Sequence, residues 1–222
     1  MNKEQIEILK KNLYIKLSEE KIEIFEKYMA FFLEKNAHTN LISKNDAKLL
    51  FEKHIFDSLA IDKFMKTQKL ENSPRLLDIG TGGGFPSIPI AILYEELNVF
   101  PLDSITKKIN IIEEIKTELD LKNLYPMCDR AENLQLKKNP KKYDYVTTRA
   151  VATVESILKY AMVNLKTGGH FVAYKSKKAM DELKEADKTM KRLGAKVVDI
   201  IEYTLPMEEL YERNLIVFKK IK

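Results

Sequence analysis

The rhythm of apolar positions changes near residue 73. Before it, hydrophobic residues recur at helical spacing, as Ile6, Leu9, Leu13 and Leu17 and then as Ile22, Phe25, Met29 and Leu33. Ser18 followed by two glutamates caps the second of these helices, and Ser43 with Asp46 three residues on is a capping box for a third, running through Leu49 and Leu50. After it, short apolar runs alternate with helical stretches. Strands are expected around Leu76, Leu77 and Ile79 and over 98–103, 124–128, 143–148 and 169–175, and helices over 105–119, 154–169 and 177–194. Residues 196–205 and 213–221 should close the fold as an antiparallel pair. Such alternation predicts an α/β fold, a mostly parallel seven-stranded sheet with helices on both faces. Residues 1–72 read as an N-terminal helical extension and 73–222 as the main domain, packed as one unit.

The stretch RLLDIGTGGGFPSIPIAI, residues 75–92, organises that domain. Leu76, Leu77 and Ile79 suit a strand buried on both faces, which puts Asp78 at its carboxyl end. Gly80, Gly82, Gly83 and Gly84 permit tight turns and close backbone approach, while Ser87 and Pro89 suit the first turn of a helix. A dinucleotide fingerprint G-x-G-x-x-G starting at Gly80 would need glycine at 85, where Phe85 stands. The pattern present is D-x-G-x-G-x-G from Asp78 to Gly84, the first loop of class I, Rossmann-like proteins that bind S-adenosyl-L-methionine (SAM). In such a loop, backbone groups are expected to meet the amino acid portion of the ligand.

Composition narrows the setting. No apolar run is long enough to span a membrane and the first residues show no signal-peptide pattern, so a cytoplasmic protein is expected. Cys128 is the only cysteine, and His38, His54 and His170 lack ligand spacing, so neither an internal disulfide nor a metal site is expected. A net charge of +5 permits an acidic partner such as RNA. The basic residues cluster at Lys137 to Lys142, Lys175 to Lys178 and Lys219 to Lys222, runs that serve either as solvated faces or as phosphate contacts.

Ligands of open α/β sheets bind beyond the carboxyl ends of the strands, so the residue at each strand's stop is informative. Asp103 ends the second strand 23 positions after Gly80, where a carboxylate can accept from both hydroxyls of a ribose. Asp129, Arg130, Ala131 and Glu132 follow the third strand, either as a turn meeting adenine through its backbone or as a plain loop. Arg149 ends the fourth, the place where a transferase meets its acceptor, and Lys175 ends the fifth with a second positive charge. The Pro-Pro-aromatic motif of amino-group methylases and the Pro-Cys nucleophile of pyrimidine-carbon methylases are both missing there. Guanine N7 has a lone pair and no proton, so its methylation needs alignment and neither a base nor a covalent catalyst. Arg149 stays protonated and offers a planar donor fork to a phosphate, guanine O6 or the cofactor carboxylate. Asn40, His54, Asp57 and Ser58 gather beside apolar residues, which on its own reads as the polar face of a capped helix.

Several of these segments together resemble the bacterial small-subunit rRNA methyltransferase G family, also called glucose-inhibited division protein B. The resemblance rests on Asn40-Leu41-Ile42-Ser43, His54 with Asp57-Ser58, the loop from Asp78 to Pro86, Asp103-Ser104 with Lys107-Lys108, Arg130-Ala131-Glu132, Arg149-Ala150 and Tyr174-Lys175. It implies a SAM-dependent transfer of methyl to guanine N7 in 16S rRNA of the small ribosomal subunit; a monomer is expected. It also implies that Gly80, Phe85, Ala131, Glu132 and Arg149 lie at the cofactor, and that His54 and Asp57 join Arg149 and Lys175 as site residues. The chain departs from the family pattern at Ser87, where glycine is usual, and at Ser176, where Lys-Gly is common. Other readings consistent with the same loop are a methyltransferase for a small molecule or a protein and a SAM-binding regulatory module.

Overall fold

The computed structural model describes residues 1–70, 73–136, 142–149, 153–177 and 179–222. Helix α1 (Lys3–Asn12) starts with a reciprocal cap in which the Asn2 side chain accepts from the Gln5 N–H at 2.8 Å and Gln5 answers on the Asn2 N–H. Ser18 caps α2 (Glu19–Thr39) as its sequence implies. The buried stripe of α2 is Phe25, Tyr28, Phe32 and Asn36, with Leu33 pointing outward at 40% exposure. Tyr28 and Phe32 face inward because they fill the space above Phe85, with ring centroids among the three 5.1 to 6.3 Å apart.

Ser43 caps a shorter helix than expected, α3 (Lys44–Lys48). A π-helical turn, Leu50–Phe56, intervenes before α4 (Asp57–Leu59) and α5 (Asp62–Met65). Apolar spacing cannot announce such a turn, because Leu50, Phe51, Ile55 and Phe56 are buried in it just as they would be in an α-helix.

The alternating part follows as β1 (Arg75–Ile79), α6 (Ser87–Leu93), β2 (Asn98–Asp103), α7 (Thr106–Glu118), β3 (Met127–Cys128), a 3₁₀ turn (Ala131–Leu136), β4 (Tyr143–Arg149), α8 (Val154–Asn164), β5 (Leu165–Ser176), α9 (Ala179–Glu185), α10 (Asp187–Leu193), β6 (Ala195–Leu205) and β7 (Tyr211–Lys220). The sheet runs β3-β2-β1-β4-β5-β7-β6, parallel except for β7, which is antiparallel to both neighbours. The class I fold and its closing antiparallel pair are therefore as expected. Strand order reverses between β1 and β4, which makes that edge the switch point where a ligand belongs.

Three boundaries differ from the sequence expectation. Strand β3 is only two residues, although Leu124 bridges to Val99 just before it. Helix α8 ends at Asn164, five residues short of Gly169, because the Asn164 side chain accepts from Gln135 and donates to the Tyr160 carbonyl while Leu165 is already paired with Tyr143. Gly169 belongs to the strand, where an added Cβ would lie 2.7 Å from the Asp144 carbonyl oxygen. The expected single helix over 177–194 is two, broken at buried Ala186, and α9 points Glu182 at the Val154 N–H and at Lys175. Gly194, at φ 65°, stops α10 as predicted.

Both faces of the sheet are buried. One face, with Leu76, Val99, Tyr145, Val172, Tyr174 and Leu215, packs in a single cluster with the N-terminal helices, α6 and α7. The other, with Leu77, Leu102, Val146, Phe171 and Phe218, packs on α8 and its neighbours. The cover of helices over the first face is what carries His54 and Asp57 to the end of β4.

Candidate functional site

Two clefts flank the β1–β4 edge. The first, about 370 Å³, lies beyond the ends of β1, β2 and β3 and is lined by Gly80, Asp103, Ala131 and Glu132 together with apolar Ile79, Leu102 and Ile157. The loop below it is tied down from within. The N–H groups of Gly80 and Thr81 both donate to the Leu102 carbonyl, and that of Gly82 donates to Asp103 Oδ2 at 3.0 Å. Asp103 Oδ1 accepts from the Ile105 N–H at 3.0 Å, so the carboxylate is oriented by two backbone donors at the end of its strand. Several of the loop's donors are thus spent inside the protein. Gly84 is bare for a different reason: at φ 90°, its Cβ would lie 2.3 Å from the Ile88 side chain.

Asp78 is fully buried and lines neither cleft. Ser87, the departure from the family pattern, donates to its Oδ2 at 2.6 Å and sits 3.0 Å from Thr81, while Thr147 donates to Oδ1 at 3.1 Å. Burial pushes the Asp78 carboxyl up to about 6, and the Ser87 hydroxyl pulls against that rise.

The second cleft, about 270 Å³, is lined by Asp46, Lys53, His54, Asp57, Arg149, Leu205, Tyr211 and Arg213. Arg149 organises it. One terminal nitrogen donates to the Lys53 carbonyl at 3.0 Å and to Asp57 at 3.1 Å, the other meets His54 Nδ1 at 2.8 Å, and the guanidinium lies 5.1 Å above the Phe85 ring. Arginine only donates, so His54 Nδ1 must accept, which makes the imidazole neutral with its hydrogen on Nε2. Burial first, and the Arg149 charge second, push the His54 pKa down to about 4. The ring packs tilted on Phe85 at 4.8 Å, and its Nε2 is buried without a partner.

Asp57 is a buried hub. Besides Arg149 it accepts from the Tyr203 hydroxyl at 2.6 Å and from two nitrogens of Arg213 at 3.2 and 3.3 Å. One carboxylate thus holds two guanidinium groups. Lys53 is paired with Asp46 at 2.9 Å, so among the described residues lining this cleft three cations face two carboxylates. The first cleft is lined by Asp103, Asp129 and Glu132 together with Arg130, and Lys108 stands 3.7 Å from Asp103 Oδ2.

Of the residues proposed from sequence for the cofactor, Gly80, Asp103, Ala131 and Glu132 line the first cleft, and Gly82 orients Asp103. Gly84 shapes the turn, and Phe85 lies buried beneath His54 and Arg149, on the side of the second cleft. Arg149, His54 and Asp57 come together around that second cleft, whereas Lys175 lines neither and is paired with Glu182 at 2.9 Å. All three basic runs are partly spent on structure. Lys177 pairs with Glu212, and Lys142 and Lys220 donate to the Val163 and Met162 carbonyls, while residues 137–141 and 178 lie outside the described residues. Among the described residues no group of three or more His, Cys, Asp or Glu could hold a metal ion. Sequence reasoning missed Lys53, Tyr203, Tyr211 and Arg213. A signal for Arg213 was present: in an antiparallel strand, the first residues reach the edge where the parallel strands stop, and Arg213 pairs with Ser176 there.

Comparison with known proteins places this architecture. Residues 21–214 match the family model described as GidB, rRNA small subunit methyltransferase G. The chain belongs to that family. It is 37% identical over 213 residues to the ribosomal RNA small subunit methyltransferase G of Lachnoclostridium phytofermentans, covering 96% of this chain and 86% of that one. It is 38% identical over 224 residues to that of Lysinibacillus sphaericus, covering 100% and 92%. Among solved structures it is similar to the Methanococcus jannaschii fibrillarin pre-rRNA processing protein, at TM-score 0.54 and 17% identity over 70% of each chain. It is also similar to TrmN from Thermus thermophilus, at TM-score 0.56 and 16% identity over 77% of this chain and 53% of that one. These likenesses concern the fold. No helix of this family member, among the described residues, is long and apolar enough to cross a membrane.

Proposed function

We propose that this chain methylates N7 of a guanine in the 16S rRNA of the small ribosomal subunit, using SAM, in the cytoplasm where that substrate is found. Membership of the family carries the reaction class, the cofactor and the kind of substrate. One observation supports N7 as the acceptor atom: the candidate proton acceptors of the second cleft are already engaged. His54 Nδ1 receives Arg149, Asp57 receives Tyr203 and two arginines, and Asp46 receives Lys53. An amine or hydroxyl acceptor must give up a proton, whereas N7 has none to lose, so alignment suffices.

The first cleft fits SAM. Asp103 keeps both backbone donors and still has acceptor capacity for two ribose hydroxyls, because a carboxylate offers about four lone-pair sites. Ile79, Leu102 and Ile157 give apolar walls for a flat ring, and the turn starting at Ala131 and Glu132 bounds it. When bound, SAM supplies an electrophilic sulfonium methyl. Gly80 follows β1 and Arg149 ends β4, and the Thr148 hydroxyl ties the two strands by donating to the Ile79 carbonyl at 3.1 Å. A donor in the first cleft and an acceptor in the second therefore share one edge. Phe85 closes the floor beneath Arg149 and His54 against water.

The test uses methyl-labelled SAM with small subunits, and separately deproteinised 16S rRNA, from a strain lacking the enzyme, followed by digestion to nucleosides. Label in 7-methylguanosine is expected. Label in another nucleoside would remove the N7 assignment, and absence of label in a protein that binds SAM would remove the activity.

A further inference from the structure

The second cleft holds more than the Arg149 cluster requires. Its outer wall is the mouth of the β6–β7 hairpin, where Leu205 pairs with Tyr211. Tyr211 stands there 45% exposed, an aromatic ring at the lip of a polar cleft. Behind it, Asp57 engages only two of the five N–H donors of Arg213. Lys53 borders the same space from the π-helical turn. An aromatic ring beside an unbalanced positive charge is the combination that binds a single-stranded nucleotide, the ring taking the face of a base and the cations its phosphate. The volume, just under the usual small-ligand range of about 300–1,000 Å³, suits one base with its phosphate at the rim.

The geometry points to this cleft as the seat of the acceptor nucleotide: Tyr211 stacks on a base of the unpaired rRNA segment that enters it, and Arg213 with Lys53 holds the adjoining phosphate. This inference rests on the proposed function, since it takes the RNA substrate from there, and it adds the residues that seat it. Tyr211 and Lys53 are binding residues here; Asp57 and Tyr203 are positioning residues that act through Arg213 and Arg149. The alternative occupant of so positive a cleft is the carboxylate of the cofactor, which the test separates.

Retention of small subunits on filters, taken from a strain lacking the enzyme, is measured beside SAM affinity by calorimetry. Tyr211→Ala should weaken subunit binding about tenfold, in the range found for loss of one base–aromatic stack, with SAM affinity unchanged. Tyr211→Phe, which keeps the ring, should bind subunits as the parent does. Lys53→Met should reduce the slope of log affinity against log salt by about one, the signature of one lost phosphate contact. Tyr211 is 45% exposed and the Lys53 side chain 31%, and unchanged SAM affinity verifies that the variants fold. Parental subunit binding by Tyr211→Ala would overturn the inference, and so would an equal loss of SAM affinity, which would give the cleft to the cofactor. Failure of the parent protein itself to bind subunits would instead overturn the proposed function, and the inference with it.

Discussion

The two clefts share an edge of the sheet and are built by opposite means. The polar walls of the first stand at or just beyond the ends of parallel strands: Gly80 after β1, Asp103 at the end of β2, Ala131 and Glu132 after β3. Its key carboxylate, Asp103, is oriented by backbone N–H groups from residues 82 and 105, 21 and 2 positions away along the chain. The second takes its walls from a π-helical turn, the end of β4 and the beginning of a reversed strand. It is basic, and its key carboxylate, Asp57, is held by side chains 92 to 156 residues away. A site of local origin tolerates drift elsewhere in the fold. A site of distant origin is only as well ordered as the charges that hold it, which is why Asp57 is buried and saturated.

That contrast can be broken at its strongest point first. Asp57→Ala leaves Arg149 and Arg213 buried without a counter-charge, and removing one partner of a buried ion pair typically costs about 3–5 kcal/mol. Urea unfolding should show a loss of that size; a change under about 1 kcal/mol would mean that the hub is not what holds the second cleft. Asp103→Ala tests the other side. It should raise the SAM dissociation constant about 10- to 100-fold, the value of hydrogen bonds to a charged group, while small-subunit binding barely moves. Equal SAM affinity would refute the ribose role. Ser87→Ala sharpens the comparison more finely: loss of the donor to buried Asp78 should cost about 1 kcal/mol near neutral pH, read by the same urea titration.

Acid separates the two buried groups by sign. His54 has a folded pKa of about 4, below its ordinary 6.5, so the stability it contributes is present above 6.5 and is lost as pH falls toward 4. Asp78 has a folded pKa of about 6, above its ordinary 3.8, so its contribution is present below 3.8 and is lost as pH rises toward 6. Between about 4 and 6 the two oppose each other, and stability should change little with pH through this pair. Asp78→Asn removes one arm, so its stability should fall more steeply than the parent's on acidification from 6.5 to 4. His54→Gln should tilt the profile the other way. Parallel profiles for all three proteins would show that neither group titrates as its surroundings imply.

The element borders that sequence misplaced have a common cause. Helix α8 stops at Asn164 because Gln135 and Tyr160 engage its side chain, and the helix after β5 breaks at Ala186 because Glu182 serves Val154 and Lys175. Apolar periodicity is blind to such long-range polar bonds. The same holds for α2, whose inward face was chosen by aromatic packing on Phe85. Lys175 illustrates the limit for the site: its place at a strand's stop was legible, its pairing with Glu182 was not.

What the sequence by itself determined is the parallel α/β order, the glycine turn after β1, the closing antiparallel pair and Asp103 at the end of its strand. Those features rest on short-range rules of side-chain alternation, turn chemistry and capping, all written within a few residues. Tertiary structure alone decided that Asp57 would hold two arginines, that Arg149 would fix the tautomer of His54 and that Tyr211 would reach the second cleft. Those outcomes depend on which distant segments meet at one sheet edge, and the reversal of β7, together with the π-helical turn, brings them there.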